Sequence, residues 1–86
     1  MESTSVMAIL IDSRTEAVPK VQDTLTKYGY IINMRLGLHQ AGDKCSDNGL
    51  IILNLCGSKE EVEDLENELN QVHRVKVKKM DLKFDD

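Results

Sequence analysis

The sequence has no tryptophan, one proline and only three aromatic residues, Tyr28, Tyr30 and Phe84. These are too few to form the rows of exposed rings on which single-stranded nucleic acids stack. The net charge of −4 also argues against non-specific attraction to nucleic acids or to anionic membranes. We therefore expect neither nucleic acid nor membrane as a partner.

The chain also lacks long apolar runs and a cysteine framework. Its longest purely apolar run is Val6–Ile11, far short of the ~20 residues that a transmembrane helix needs. Residues 1–5 lack the basic start of a secretory signal, and two cysteines do not make a disulfide scaffold. These features predict a cytoplasmic protein with free thiols.

A chain of 86 residues forms one domain, which we place at 1–86 with flexible ends at 1–5 and 85–86. Its central stretch is Leu50–Cys56, which is apolar at every position except Asn54. Such a run predicts a strand buried on both faces. Val6–Ile11 predicts a second strand of the same kind.

The other elements follow from periodicity. Two helices are predicted, one starting near Thr15 or Glu16 and one opened by a capping box of Ser58 and Glu61. Tyr30–Leu38 alternates as a half-exposed strand, and a lysine-rich strand begins at Arg74. Apolar and polar positions in the helices recur at spacings of three and four.

The order β-α-β-β-α-β predicts an α+β ferredoxin-like fold, with an antiparallel sheet in the order 4-1-3-2 and both helices on one face. The first and third strands are apolar on both faces, so one set of their side chains must point away from the helices. A monomer would leave that set exposed to water. We therefore expect a homo-oligomer, most simply a two-fold dimer, joined through the open sheet face or the edge strands.

Past Lys78 the apolar residues Met80, Leu82 and Phe84 have the opposite parity to Val75 and Val77. Two explanations are open. A β-bulge near Lys78–Lys79 resets the register, or this end of the strand turns its other face to a partner.

This topology brings Asp12, Ser13, the segment 39–48 and His73 to one end of the sheet. Asp12 and Ser13 precede a helix and could bind a small anion or an amino acid through its backbone N–H groups, although helix capping explains the same residues. Cys56 lies at the opposite end, ~20 Å from the segment 39–48, and is expected to be a small buried side chain.

His39 and Cys45 are the candidate metal ligands. An imidazole and a thiolate together suit zinc, nickel or copper. Two ligands make half a site, so Asp43, Asp47 or a second subunit would have to supply the rest. The alternative is that both are ordinary exposed loop residues. No catalytic set is recognisable in the sequence, so we predict that the chain is not an enzyme, and the sequence specifies no cofactor.

The chain resembles the ACT-like regulatory domains, and within them the small proteins described as iron-only hydrogenase system regulators. The likeness spans about Val6 to Met80 and rests on five segments: Ile11-Asp12, Lys27–Gly29, Tyr30–Leu38, Gly49–Ile52 and Val75–Lys78. It implies an ACT-like dimer with a regulatory, non-catalytic role. ACT domains bind small ligands near a glycine-containing turn after the first strand, and here that turn has no glycine.

A looser likeness is to the ligand-binding domain of nickel-responsive repressors, whose His-x5-Cys element matches His39 and Cys45. The family's further histidine corresponds to Gly37, so the set of nickel ligands is incomplete. The sequence thus predicts a regulatory or ligand-sensing module that acts as a homo-oligomer. The alternative function is a transition-metal sensor that uses the β2–β3 loop.

If His39 and Cys45 bind a metal ion, they must do so as a neutral imidazole and a thiolate. Affinity for Zn²⁺ or Ni²⁺ should then rise between about pH 6 and 8.5, and binding should raise the thermal midpoint. Calorimetric titration of the reduced protein measures both metals, and Cys45→Ser and His39→Ala should each abolish binding.

Cys56→Ser is the matched control, because Cys56 is predicted to lie at the other end of the sheet and its loss should leave binding unchanged. A dissociation constant weaker than about 10⁻⁴ M, or ~5.5 kcal/mol, would contradict a metal site at this loop.

Overall fold

A four-stranded antiparallel sheet runs through the molecule, and the computed structural model describes it in residues 3–12, 15–38 and 48–85. The elements are β1 (Ser3–Asp12), α1 (Ala17–Lys27), a 3-10 turn (Gly29–Ile31), β2 (Ile32–Leu38), β3 (Asn48–Leu55), α2 (Lys59–Asn70) and β4 (Val75–Lys83). The strand order is β2-β3-β1-β4, which confirms the predicted ferredoxin-like α+β fold.

Both helices cover the same face of the sheet, and the core lies between them and the strands. Odd-numbered residues of β1, β3 and β4 point into this core, so the set that faces the helices is now defined. The buried strand side chains are Met7, Ile9, Ile11, Ile51, Leu53, Leu55, Val75 and Val77. From the helices come Ala17, Val21, Leu25, Val62, Leu65 and Leu69. The opposite face of the sheet, which no helix covers, is called the open face below.

β1 begins at Ser3, earlier than the apolar run that predicted it. Ser3, Thr4 and Ser5 pair with Lys83, Leu82 and Asp81 at the end of β4. This pairing places residues 3–5 in the sheet, although the sequence predicted a flexible end there.

β2 begins at Ile32, because residues 29–31 form the 3-10 turn instead of extending the strand. The pairing register with β3 then shifts between Ile32 and Met34. Ile32 therefore packs against the core, whereas Met34 and Leu36 point to the open face. The predicted alternation from Tyr30 was wrong at its start, because a bulge changes the parity of the strand.

The pairing of β4 with β1 is continuous from Val75 to Lys83, so no bulge resets the register of β4. Met80 and Leu82 consequently lie on the open face, with 55% and 48% of their surface exposed. The structure excludes the first explanation for the change in parity, and a partner on the other face stays a prediction. The end of β4 turns its apolar side chains away from the helices.

The start of α2 matches its predicted capping box. The Ser58 hydroxyl accepts a hydrogen bond from the Glu61 N–H (3.1 Å), and the Glu61 carboxylate accepts one from the Ser58 N–H (2.9 Å). α2 ends differently, since no glycine follows it. Arg74 instead turns the chain into β4 with a positive φ of 66°, a region that L residues other than Asn and Asp avoid.

A hydrogen-bonded cluster joins the end of α1 to the end of α2. The Tyr28 hydroxyl donates to Glu68 Oε2 (2.5 Å), and Lys27 Nζ donates to both oxygens of the same carboxylate (3.0 and 3.1 Å). The bond from Tyr28, and then that from Lys27, lowers the pKa of Glu68. The same bond to Glu68, with burial, raises the pKa of Tyr28 to about 12.

These pKa shifts predict a pH dependence of stability with a defined sign. The lowered pKa of Glu68 stabilises the fold above its ordinary value of 4.5, and this contribution is lost as the pH falls below it. The raised pKa of Tyr28 stabilises the fold below 10.0, and this contribution is lost between pH 10.0 and about 12. The free energy of unfolding, measured with urea, should fall in both the acidic and the alkaline pH range. In the Glu68→Gln variant both falls should be smaller.

Glu63→Gln is the matched control for this experiment, since Glu63 is exposed on the same helix. If the Glu68→Gln variant loses as much stability at alkaline pH as the original protein does, then Tyr28 is not coupled to Glu68. Tyrosinate absorbance gives a second readout, because Glu68→Gln should move the titration of Tyr28 to lower pH.

The positive φ of Arg74 predicts an unusual order of stability among its variants. Arg74→Gly and Arg74→Ala lose the same contacts, but only glycine adopts this backbone conformation without strain. Arg74→Gly should therefore be more stable than Arg74→Ala by about 1 kcal/mol in denaturant unfolding. Lys78, in the regular part of β4, provides the control pair, and there the alanine variant should be the more stable one. An Arg74→Ala variant as stable as Arg74→Gly would contradict the strained turn.

Candidate functional site

The sheet ends on one side where β1 stops and where β3 and β4 start. Asp12 lies opposite Asn48 in the β1–β3 register, and the Asp12 N–H donates to the Arg74 carbonyl oxygen (3.1 Å). The structure therefore brings Asp12, Asn48 and Arg74 together. Ser13, His39 and Cys45 lie outside the described residues, so their binding roles stay predictions.

Asp12 is the one buried charged residue in the described part of the chain, with 6% of its surface exposed. Its carboxylate is held by Arg74, whose Nε and Nη2 both donate to Oδ2 at 2.9 Å. A buried carboxylate needs such a partner, because removing an isolated charge from water costs several kcal/mol. This ion pair fastens the start of β4 to the end of β1.

A cavity of about 420 Å³ opens beside this ion pair. It is lined by Leu10, Asp12, Asn48, Arg74, Val75 and Lys76. Leu10 and Lys76 are neighbours in the β1–β4 register and point to the open face, so the cavity lies on that side of the sheet end. The arrangement combines two cationic side chains with an apolar wall.

A second cavity, of about 460 Å³, lies at the N-terminus of α1. Its lining residues are Thr15, Glu16, Ala17, Lys20 and His73. No described residue lines both cavities. His73, which the sequence places at this end of the sheet, is exposed here.

The N-terminus of α1 offers few free donors to a ligand. The Ala17 N–H already donates to Thr15 Oγ1 (3.2 Å), and Thr15 Oγ1 in turn donates to the Asp12 carbonyl oxygen (2.8 Å). Pro19, in the first turn as predicted, has no N–H. Of the first N–H groups of α1, that of Ala17 is therefore already bonded to Thr15, and Pro19 has none to offer a ligand.

Arg74 is a site residue that the sequence did not single out. The sequence placed it only at the start of a lysine-rich strand, where one more basic residue draws no attention. A signal was present, because no glycine lies between α2 and β4 to take a positive φ.

Metal ligands do not cluster in the described part of the chain, where no group of three or more His, Cys, Asp or Glu side chains could hold an ion. Cys56 lies at the end of the sheet away from Asp12, as predicted. It is exposed rather than buried, and its thiol donates to the Ile31 carbonyl oxygen (3.4 Å). The expectation that Cys56 would be a buried side chain was wrong.

The open face is the second candidate site, and it is apolar over all four strands. Its apolar side chains are Val6, Ala8, Leu10, Met34, Leu36, Leu50, Ile52, Met80 and Leu82. Several are half exposed or more, such as Met34 at 61% and Leu36 at 52%. Lys76 and Lys78 occupy only one corner, on the edge strand β4.

One polar group interrupts the open face. The side chain of Asn54 donates to Thr4 Oγ1 (2.6 Å) and to the Ser5 carbonyl oxygen (3.3 Å), and it accepts from Asn33 Nδ2 (3.0 Å). Three strands are joined by these bonds. Because the amide is hydrogen-bonded within the sheet, apolar groups can pack over it at little cost.

No helix in the described residues is long and apolar enough to cross a membrane. The fold itself is shared with proteins of known structure. An uncharacterised protein from Thermotoga maritima, TM1266, matches with a TM-score of 0.83 and 24% identity, over 95% of this chain and 100% of that one. CPII from Thiomonas intermedia K12 matches with a TM-score of 0.66 and 13% identity, over 99% of this chain and 96% of that one. CPII is a nitrogen regulatory PII-like protein whose structure holds ADP, AMP and bicarbonate.

At these identities the two likenesses establish the fold alone. No curated protein matches the chain. A family model matches residues 3–79, and its description reads "TM1266-like: Iron-only hydrogenase system regulator, putative". This match confirms the resemblance predicted from the sequence segments, and because it spans nearly the whole sequence, the chain belongs to the TM1266-like family.

Proposed function

We propose that this protein is a non-catalytic, cytoplasmic regulatory module that acts as a homo-oligomer and senses a small ligand, within an iron-only hydrogenase system. The family description supports the regulatory role and the system. CPII supports the class of function by analogy, as a regulatory protein of the same fold with small molecules bound.

The apolar open face is the observation that supports a homo-oligomer. Strands ~4.8 Å apart that rise ~3.3 Å per residue give this face a projected area of roughly 400 Å². Apolar patches of about 300–600 Å² are the largest that typical monomers expose, and they are often functional. A module of this size gains stability by covering such a face, since its own core is small.

A second copy of the chain is the occupant that fits best. Sheets pack face to face about 10 Å apart with interdigitating side chains, and the centre of this face carries no charge that would oppose such packing. Lys76 and Lys78 lie at the outer corner, where their long stems can reach water. Two-fold dimers are the commonest symmetric assemblies, so a dimer through this face is the simplest form of the proposal.

The ligand-binding part of the proposal concerns Asp12 and Ser13. The buried Asp12 carboxylate and the adjoining cavity beside Arg74 favour this end of the sheet. A metal-sensing function through His39 and Cys45 is a second candidate. It is favoured by their place in the segment that joins β2 to β3, which returns to the sheet at Asn48 opposite Asp12. The titration with Zn²⁺ and Ni²⁺ described above tests it.

One added carboxylate on each side of the sheet tests the oligomer. Ile52→Glu places a charge on the open face, and it should give a folded monomer where the original protein gives a dimer. Leu53→Glu places the charge in the core, where Leu53 is 0% exposed, and it should unfold the domain because a buried unpaired carboxylate costs several kcal/mol. Light scattering reports the mass, and circular dichroism reports the fold.

Thr26→Glu is the matched control. Thr26 is exposed on α1, so this substitution adds the same charge at a position away from the sheet. It should remain a folded dimer. A monomer mass for the original protein at micromolar concentration would contradict the proposal, as would an Ile52→Glu variant that stays dimeric.

A further inference from the structure

We propose that the cavity beside Arg74 and Lys76 binds the carboxylate group of a small organic acid, with the carbon chain of the acid lying against Leu10. The inference rests on the proposed ligand-sensing function and deepens it by naming the chemical class of the ligand and the side chains that hold it.

The proposal depends first on how the guanidinium group of Arg74 is oriented. Its Nε and Nη2 atoms bind one oxygen of Asp12, so the side edge of the guanidinium is occupied. No acceptor among the described residues takes the end edge, which is formed by the N–H groups of Nη1 and the second N–H of Nη2. With 53% of the side chain exposed, this edge is open to a ligand. A guanidinium edge of this kind matches the two oxygens of a carboxylate.

The Arg74 side chain is also preorganised for binding. An arginine side chain normally loses rotamer entropy when a ligand fixes it. Here Asp12 already fixes the guanidinium, and the turn at Arg74 fixes the backbone below it. A ligand therefore meets a donor pair whose ordering cost belongs to folding and not to binding. This also gives a reason for an arginine at a position of positive φ.

The charged side chains that line the cavity favour an anion as the ligand. Arg74 and Lys76 are cationic and Asp12 is anionic, so the described charged residues that line the cavity leave one net positive charge. Lys76 has no ion-pair partner within the described ranges of the chain. One net positive charge attracts an anion of either kind, so the choice between a carboxylate and phosphate depends on the apolar wall and not on charge.

The apolar wall defines the rest of the ligand. Leu10 is 44% exposed and borders the cavity together with Val75. A carbon chain attached to the carboxylate would cover part of Leu10 and remove apolar surface from water. A volume of about 420 Å³ lies within the range of small-molecule sites. Together these features favour a short aliphatic acid over an inorganic anion.

The test is a ¹H–¹⁵N NMR titration of the full chain with sodium acetate, butyrate and hexanoate, each against sodium chloride at equal ionic strength. The amide signals of Leu10, Arg74 and Lys76 should shift in a saturable way. Affinity should rise from acetate to butyrate, by up to about fourfold for each CH₂ group that Leu10 covers. Inorganic phosphate, the comparison anion, should bind more weakly than butyrate.

Two variants remove the proposed contacts and one controls for charge. Arg74→Gly, which relieves the backbone strain, and Lys76→Gln, at an exposed position, should each weaken butyrate binding about tenfold. Lys20→Gln removes a cation from the cavity at the N-terminus of α1 and should leave binding unchanged. The Ile52→Glu variant should still bind butyrate, which separates this site from the proposed oligomer.

Several results would overturn the inference. Tighter binding of phosphate than of butyrate would exclude a carboxylate site. Shifts confined to Ala17 and Lys20, or binding that Lys20→Gln abolishes, would place the anion at the helix N-terminus instead. Butyrate that causes no saturable shift at millimolar concentration, or that binds the Arg74→Gly and Lys76→Gln variants as tightly as the original protein, would exclude the site.

Discussion

Helices α1 and α2 lie side by side across a sheet of four strands, and their number sets a limit on what the fold can bury. Each helix with its side chains is about 10 Å wide, and four strands spaced ~4.8 Å apart span about the width of two helices. The pair therefore covers one face of the sheet once. The chain has no third helix in its described residues with which to cover the other face.

This limit explains why one face of the sheet is buried under the helices and the other, the open face, is not. The covered face holds residues that are buried almost completely, with Met7, Ile9 and Leu53 at 0% exposure. The other face holds side chains of the same apolar kind with no layer over them. In the proposed oligomer a second copy supplies that layer. The carboxylate site lies at the end of the same face, and Leu10 belongs to both.

Much of the fold could be predicted because its signals are local. Alternation and runs of apolar residues identified all four strands, and the Ser58–Glu61 pair identified the start of α2. The strand order followed from the order of the elements and the right-handed crossover rule. These features depend on a few neighbouring residues and on general rules of chain geometry.

The site was less predictable because its geometry is not local. Arg74 meets Asp12 across 62 positions of sequence, and no spacing rule connects them. The 3-10 turn takes up Tyr30 and the register of β2 with β3 shifts after Ile32, so alternation alone wrongly grouped Tyr30 and Ile32 with Met34 and Leu36. Cys56 is exposed although it follows an apolar run, because the strand ends one residue earlier.

The two-sided apolar character of β1 and β3 has a consequence for how the chain finds its fold. In most half-buried strands a slip of one residue would move polar side chains into the core, and this penalty selects the native register. Here a slipped β1 would present Val6, Ala8 and Leu10 to the helices, which is still an apolar set. The information that selects the register must therefore come from elsewhere. In β4 the alternation of Val75 and Val77 with lysines supplies it, so the edge strand determines which face of the central strands becomes the core.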